Sequence, residues 1–198
     1  MDRRLLIQFT GAQGVGKTTL VNSLLEKYKG YPIKGVTREL LDSGEISRVA
    51  WSKENQTRIF TEFSLRYLEA LSNTDYRLII SERTFVDGLA YTRLHSKDPG
   101  LEKLATRLIQ TTCIRKDIDI CTIYVPPFTD IVEDDGVRDI NTVSQVASLI
   151  VSILSKSRIP HIYLSSRDLN KRVLEIEQIV EARYPLFKLE LLRKENQL

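Results

Sequence analysis

Residues Gly11 to Thr18, GAQGVGKT, carry the pattern G-x-x-x-x-G-K-[ST]. The residue types suit a polyphosphate. Glycines let the backbone take up dihedrals in which successive N–H groups of Gly11, Gln13, Gly14, Val15 and Gly16 turn inward. Lys17 adds a full positive charge for the β- and γ-phosphates. The Thr18 hydroxyl is placed to ligate Mg2+, and Thr19 follows it at the rim. A helix that starts here directs its positive end at the same point. The chemistry implied is binding of a nucleoside triphosphate, read as ATP with Mg2+. The alternative is a glycine-rich turn that matches by chance, against which stands the context: a strand before the loop and a helix after it.

A second group follows the apolar run YRLII, as Ser81-Glu82-Arg83-Thr84. In a parallel sheet, ligands gather at the carboxyl ends of strands, so this pair is expected to face the phosphate site. Glu82 is a candidate to organise Mg2+ through water or to accept a proton from an attacking hydroxyl. Arg83 is a candidate to grip a phosphate in bidentate fashion. An ordinary surface ion pair is the competing reading. A third group lies in the polar stretch PPFTDIVEDDGVRDIN, 126–141, with the lid expected over about 128–141. Loops of this length between a strand and a helix are often active-site lids.

SERTFVDGLAYT resembles the Asp-Arg-Tyr segment of thymidylate kinases and the Glu-Arg-Ser of deoxynucleoside kinases. VTREL, 36–40, resembles the Thr-Arg-Glu-Pro segment of thymidylate kinases, whose arginine contacts the acceptor's phosphate. Over most of residues 5–180 the chain resembles small phage and bacterial P-loop proteins named AAA family ATPases, related to ribosylnicotinamide kinase. These share the loop, the acid-Arg segment, a Pro-Pro after the fourth strand and a DDGVR segment. The resemblance implies a phosphotransferase. It gives Lys17, Glu82, Arg83 and the lid's Arg138 to catalysis, and Arg38 and Asp87 to the acceptor side. It sets Arg172 or Arg167 near the nucleotide's base, where helix capping is the competing role for the segment. Two positions depart from the thymidylate kinase pattern: Leu40 stands where those enzymes have Pro-Gly-Gly, and Asp87 where they usually have Ser.

The elements that must position these groups alternate. RLLIQFT, YRLIISE and IDICTIYV read as buried strands, and YPIKGVT and IPHIYLS as shorter ones. Helices are expected after the glycines, over 52–72 with Ser52 as N-cap, in FVDGLAYTRL and LEKLATRLIQTT, and over 141–156. Ser165 with Asp168 resembles a capping box opening a last helix to about Ala182. This predicts an α/β, three-layer P-loop NTPase fold with about five parallel strands and helices on both faces, as one domain over 1–198, with an acceptor-side helical region at about 38–72.

Composition agrees. Of 198 residues, 42% are hydrophobic, enough for a soluble core, and the net charge of +3 suits an anionic small substrate better than a DNA-coating role. Cys113 and Cys121, with no CxxC, are expected to be buried free thiols. No stretch is long enough for a membrane span, and a cytoplasmic location, as a monomer or homodimer, is expected. GTPase motifs are absent, and LIISER lacks the Asp-Glu ending of mechanical ATPases. The expected partners are ATP and a small nucleoside or nucleotide. A polynucleotide end or a modified base in DNA is the alternative acceptor, although no aromatic-plus-basic platform is evident.

Overall fold

The computed structural model describes residues 4–47, 52–128 and 140–183. Among these, five strands form one sheet, all parallel: β1 (Arg4–Thr10), β2 (Tyr31–Ile33), β3 (Leu78–Ser81), β4 (Ile118–Tyr124) and β5 (His161–Tyr163), in the order β2-β3-β1-β4-β5. The central strand pairs Gln8 with Ser81 on one side and with Thr122 on the other. Leu5, Leu6, Ile7 and Phe9 of β1 are fully buried, because helices cover the sheet above and below.

Those helices are α1 (Lys17–Lys27), α2 (Thr37–Asp42), α3 (Lys53–Ser72), α4 (Phe85–Tyr91), α5 (Pro99–Cys113), α6 (Ile140–Lys156) and α7 (Leu169–Arg183). The α1 helix packs with α7, and α4 packs with α5 and α6. Ser52 caps α3 as expected, accepting from the Asn55 amide. Thr84 and Asp87 form a reciprocal capping box on α4. Beyond α4 the chain widens into a π-turn over Thr92–Ser96 and ends at Lys97 in the left-handed region. The phosphate loop therefore emerges from the centre of the sheet, with the ends of β3 and β4 on either side.

Several expectations change in detail. The strand expected over YPIKGVT, 31–37, is only three residues long, Tyr31–Ile33, and Thr37 opens a short helix, Thr37–Asp42. The last helix is capped by Asp168, which accepts from the Lys171 amide, so Ser165 lies outside the cap. Cys121 is buried, but Cys113 is exposed. Leu101, Ala105 and Ile109 set the buried face of α5, and position 113 follows the buried Thr112 at the helix end. Both cysteines are free thiols. No helix among the described residues is long and apolar enough to cross a membrane. Residues 129–139, which include Arg138, and the tail 184–198 lie outside the described residues.

Candidate active site

The loop after β1 is fixed by backbone contacts. A Cβ on Gly11 would lie 2.4 Å from the Val125 carbonyl oxygen, so only glycine fits there without a shift. The Gly11 amide donates to Asp87 Oδ1 (3.1 Å), and the Gln13 amide donates to the Tyr91 hydroxyl (3.0 Å). Gly16, at φ 90°, turns the chain into α1 from the left-handed region. The α1 helix has no side-chain cap and no acid in its first turn, so its amides and positive end are left for an anion. Lys17 is buried, with Nζ donating to the carbonyls of Gly11 (2.7 Å) and Ala12 (2.6 Å). Burial pushes its pKa down to about 7, aided by Arg83 and opposed by Asp87 and Glu82.

Glu82, at the end of β3, accepts from the Thr18 hydroxyl (2.5 Å) and the Gly35 amide (2.9 Å). Burial works against its charge, but these two hydrogen bonds, with Arg83 and Lys17, hold its carboxyl below the usual range. Arg83 pairs with Asp87 (3.5 Å) and lies over the Tyr91 ring, 5.6 Å from its centroid. Despite its burial, the neighbouring Tyr91, Asp87 and Glu82 keep the guanidinium charged and raise its pKa. Asp87 is itself buried and also accepts from the Thr84 amide and hydroxyl. One turn of α4 thus grips the phosphate loop through Asp87 and Tyr91 while holding Arg83.

Beside this cluster a pocket opens between α3, α4 and the turn after β2. Its walls include Gln13, Gly35, Gln56, Phe60, Arg83 and Tyr91. The structure therefore brings Gln13, Arg83 and Asp87 to one cavity, next to Lys17, Thr18 and Glu82. It does not bring Arg38 there. That side chain is exposed on α2, and Thr37 lines the pocket instead. Thr19 is exposed one position past the metal candidate. Arg172, expected near the nucleotide's base, is buried behind the loop. It donates to the carbonyls of Val15 (2.9 Å) and Ser166 (2.7 Å), with its guanidinium over the Phe128 ring.

The acceptor-side helical region expected over about 38–72 does not single out Gln56, Phe60 or Phe63 within it, and it does not include Tyr91. Signals existed for two of them. Gln56 continues the buried stripe of Phe60, Phe63 and Tyr67, where a polar residue is out of place. Tyr91 stands four positions after Asp87, on the same helical face.

The donor set also bears on a metal. No three described His, Cys, Asp or Glu side chains group so as to hold one. Thr18 and Glu82 instead offer two adjacent hard oxygens. That is the share a protein supplies to Mg2+ when waters and substrate phosphates complete the shell, so the residues fit the ion.

Comparison with known proteins bears on the fold. No curated protein matches the sequence. Deoxyadenosine kinase from M. mycoides superposes with a TM-score of 0.67 at 13% identity, over 89% of this chain and 99% of the other. Thymidylate kinase from Candida albicans gives 0.63 at 17% identity, over 91% and 92%. The NadR protein, solved in complex with NR, gives 0.66 at 17%, over 90% of this chain. The chain spans about half of NadR, 51% of its length. These likenesses establish that the fold is the one used by nucleoside and nucleotide kinases. A family model described as an AAA domain matches residues 6–172, and the chain belongs to that family.

Proposed function

We propose that the chain is an ATP-dependent phosphotransferase that transfers the γ-phosphate to a small nucleoside or nucleoside monophosphate. The observation that carries this reading is the shared wall. Gln13 of the phosphate loop and Arg83 of the acid-Arg pair both line an apolar pocket suited to a second substrate. A plain ATPase has no use for such a pocket.

In this reading the amides of Gly14, Val15 and Gly16 with Lys17 bind the donor's phosphates, those of Gly11 and Gln13 being held by Asp87 and Tyr91, and Arg172 supports the loop through the Val15 carbonyl. Mg2+, held through Thr18 and Glu82, would neutralise phosphate charge. Arg83 faces the pocket and stabilises charge on the moving phosphoryl group. The acceptor oxygen bonds to the γ-phosphorus as the bridging bond breaks, and ADP leaves with the electron pair. Where the acceptor is a hydroxyl, Glu82 takes its proton. Phe60, Phe63 and Tyr91 exclude water and orient the acceptor. The loop 128–141 is given a closing role by its length between a strand and a helix, and Arg138 by resemblance.

The test is a panel of nucleosides, nucleoside monophosphates, nicotinamide riboside and oligonucleotides with labelled ATP. Transfer to a small acceptor is expected. Hydrolysis that no acceptor stimulates would refute the kinase reading, and transfer only to oligonucleotides would replace it with a polynucleotide kinase.

A further inference from the structure

Arg172 stands in the first turn of α7, far along the chain from the phosphate loop, yet its side chain is 4% exposed and reaches that loop. Nη1 donates to the Val15 carbonyl (2.9 Å) and Nε to the Ser166 carbonyl (2.7 Å). One planar group thus ties the loop after β1 to the turn after β5. The guanidinium carbon lies over the ring of Phe128, 4.8 Å from its centroid, where the chain has left β4.

This cation is buried without a counter-charge of its own. Among the described residues its hydrogen-bond partners are carbonyl oxygens, and no carboxylate pairs with it. Burial works against its charge, and Glu175 and Tyr163 offset that only in part. An arginine keeps its proton nonetheless. Such a charge is costly until something balances it. Nη1 lies 3.8 Å from where a Cβ on Gly16 would stand, so it sits directly behind the last glycine of the loop. A polyphosphate in the loop brings the missing negative charge to the other side of the same peptide.

The Val15 carbonyl and the Gly16 N–H belong to one rigid plane and point in opposite directions. Holding the carbonyl toward α7 therefore turns the N–H away from α7. That N–H has no acceptor among the described residues. Gly16 sits at φ 90°, and a glycine leaves the peptide before it free to rotate at little cost. A hydrogen bond from a charged donor fixes the plane and polarises it, which makes the N–H a stronger donor.

We infer that Arg172 is a positioning residue for the donor's phosphates: by clamping the Val15 carbonyl it aims the Gly16 amide at them, and its own buried charge is balanced when they bind. Resemblance sets Arg172 at the nucleotide's base; the geometry makes it act on the phosphates, through the loop. This rests on the donor side of the proposed function and deepens it.

The experiment uses the full chain and two probes, inorganic tripolyphosphate and a non-hydrolysable ATP analogue, with calorimetry and the amide spectrum of isotope-labelled protein. In the wild type, tripolyphosphate is expected to bind and to move the Gly16 amide proton downfield. Arg172→Met is expected to weaken both probes alike, by roughly tenfold or more, with a smaller Gly16 shift at saturation. Arg172→Lys keeps the charge but cannot hold two carbonyls in one plane, and is expected to recover only part of the loss. A loss confined to the ATP analogue would put Arg172 at the base and overturn the inference. Unchanged affinity for both probes overturns it, and so does full recovery in Arg172→Lys, which would leave charge alone as the cause. Thermal melting checks that the variants fold. Should Arg172→Met not fold, the wild-type spectrum decides, and a Gly16 amide that does not move with tripolyphosphate overturns the inference. A wild type that binds neither probe overturns the donor side of the proposed function and this inference with it. Binding of the probes with the expected losses, but no transfer to any acceptor, supports this inference and removes only the kinase reading.

Discussion

The phosphate loop and the acceptor pocket meet at Gln13, yet they are made of different material. From Gly11 to Thr18 the contacts are mostly backbone: amides held by Asp87 and Tyr91, carbonyls held by Lys17 and Arg172. The pocket is formed mostly by side chains from three separate elements, Gln56 and Phe60 on α3, Arg83 and Tyr91 on or next to α4, with Gly35 on the turn after β2. A backbone cradle recognises what every nucleoside triphosphate shares. A side-chain pocket recognises what distinguishes one acceptor from another. The two halves are therefore expected to break differently under mutation.

The largest break is expected at Lys17. Its charge serves the donor alone, and Lys17→Ala should lower turnover by roughly a thousandfold with every acceptor. Unchanged turnover would remove the loop from the mechanism.

A pH series sharpens the same side. With its pKa pushed down to about 7, Lys17 in the free protein gives up its proton well below the ordinary value of 10.5. A bound polyphosphate favours the charged form, so nucleotide binding should take up a proton above about pH 7, and affinity should fall as pH rises beyond it, approaching about tenfold per unit. Calorimetry in two buffers of different ionisation enthalpy reads that uptake directly. The sign for stability is opposite. The unfolded chain keeps the proton up to about 10.5 and the folded one only to about 7. This group's burial penalty is therefore full below pH 7 and relieved between these values. Melting of the free protein should rise across that window, and Lys17→Met should remove this contribution. Proton uptake of zero would show that Lys17 is already charged in the free protein.

The same contrast explains what could be read in advance. The loop was legible because its chemistry is local: glycines, lysine and threonine at fixed spacing, between a strand and a helix. Glu82 and Arg83 were legible because parallel strands end on one side of a sheet, whatever the rest of the fold does. The acceptor wall was not, because Gln56, Gly35 and Tyr91 are brought together by packing across three elements. Arg38 was assigned to the acceptor side by resemblance, and the six-residue helix α2 leaves it exposed while turning Thr37 toward the pocket. Most strand and helix positions followed from hydrophobic periodicity, whereas the order of the strands in the sheet did not. The cap at Asp168 and the exposure of Cys113 turned on the phase of helix ends, where periodicity says least.

Gly88 tests the pocket half by itself. A Cβ there would lie 2.8 Å from the Phe60 ring, and both residues line the cavity. Gly88→Ala should displace the ring and raise the acceptor KM by roughly tenfold, with little change in the affinity for a non-hydrolysable ATP analogue. Equal losses on both substrates would show that the two halves are not separable at this wall.

Tyr91 belongs to both halves, and the comparison is sharpest there. Its hydroxyl accepts the Gln13 amide of the loop, while its ring lies under Arg83 and lines the pocket. Tyr91→Phe keeps the ring and removes only the hydroxyl. A hydrogen bond of this kind contributes about 1 kcal/mol, so analogue affinity should fall by roughly fivefold as the loop loosens at Gln13. Arg83 loses its hydrogen bond to the same hydroxyl but keeps Asp87, the ring stays in the acceptor wall, and KM for the acceptor should move less. Titration of the analogue against a fixed acceptor concentration separates the two effects. An equal loss at both sites would mean that the loop and the pocket respond as one unit through α4, with Asp87, which holds both the Gly11 amide and Arg83, as the link to remove next.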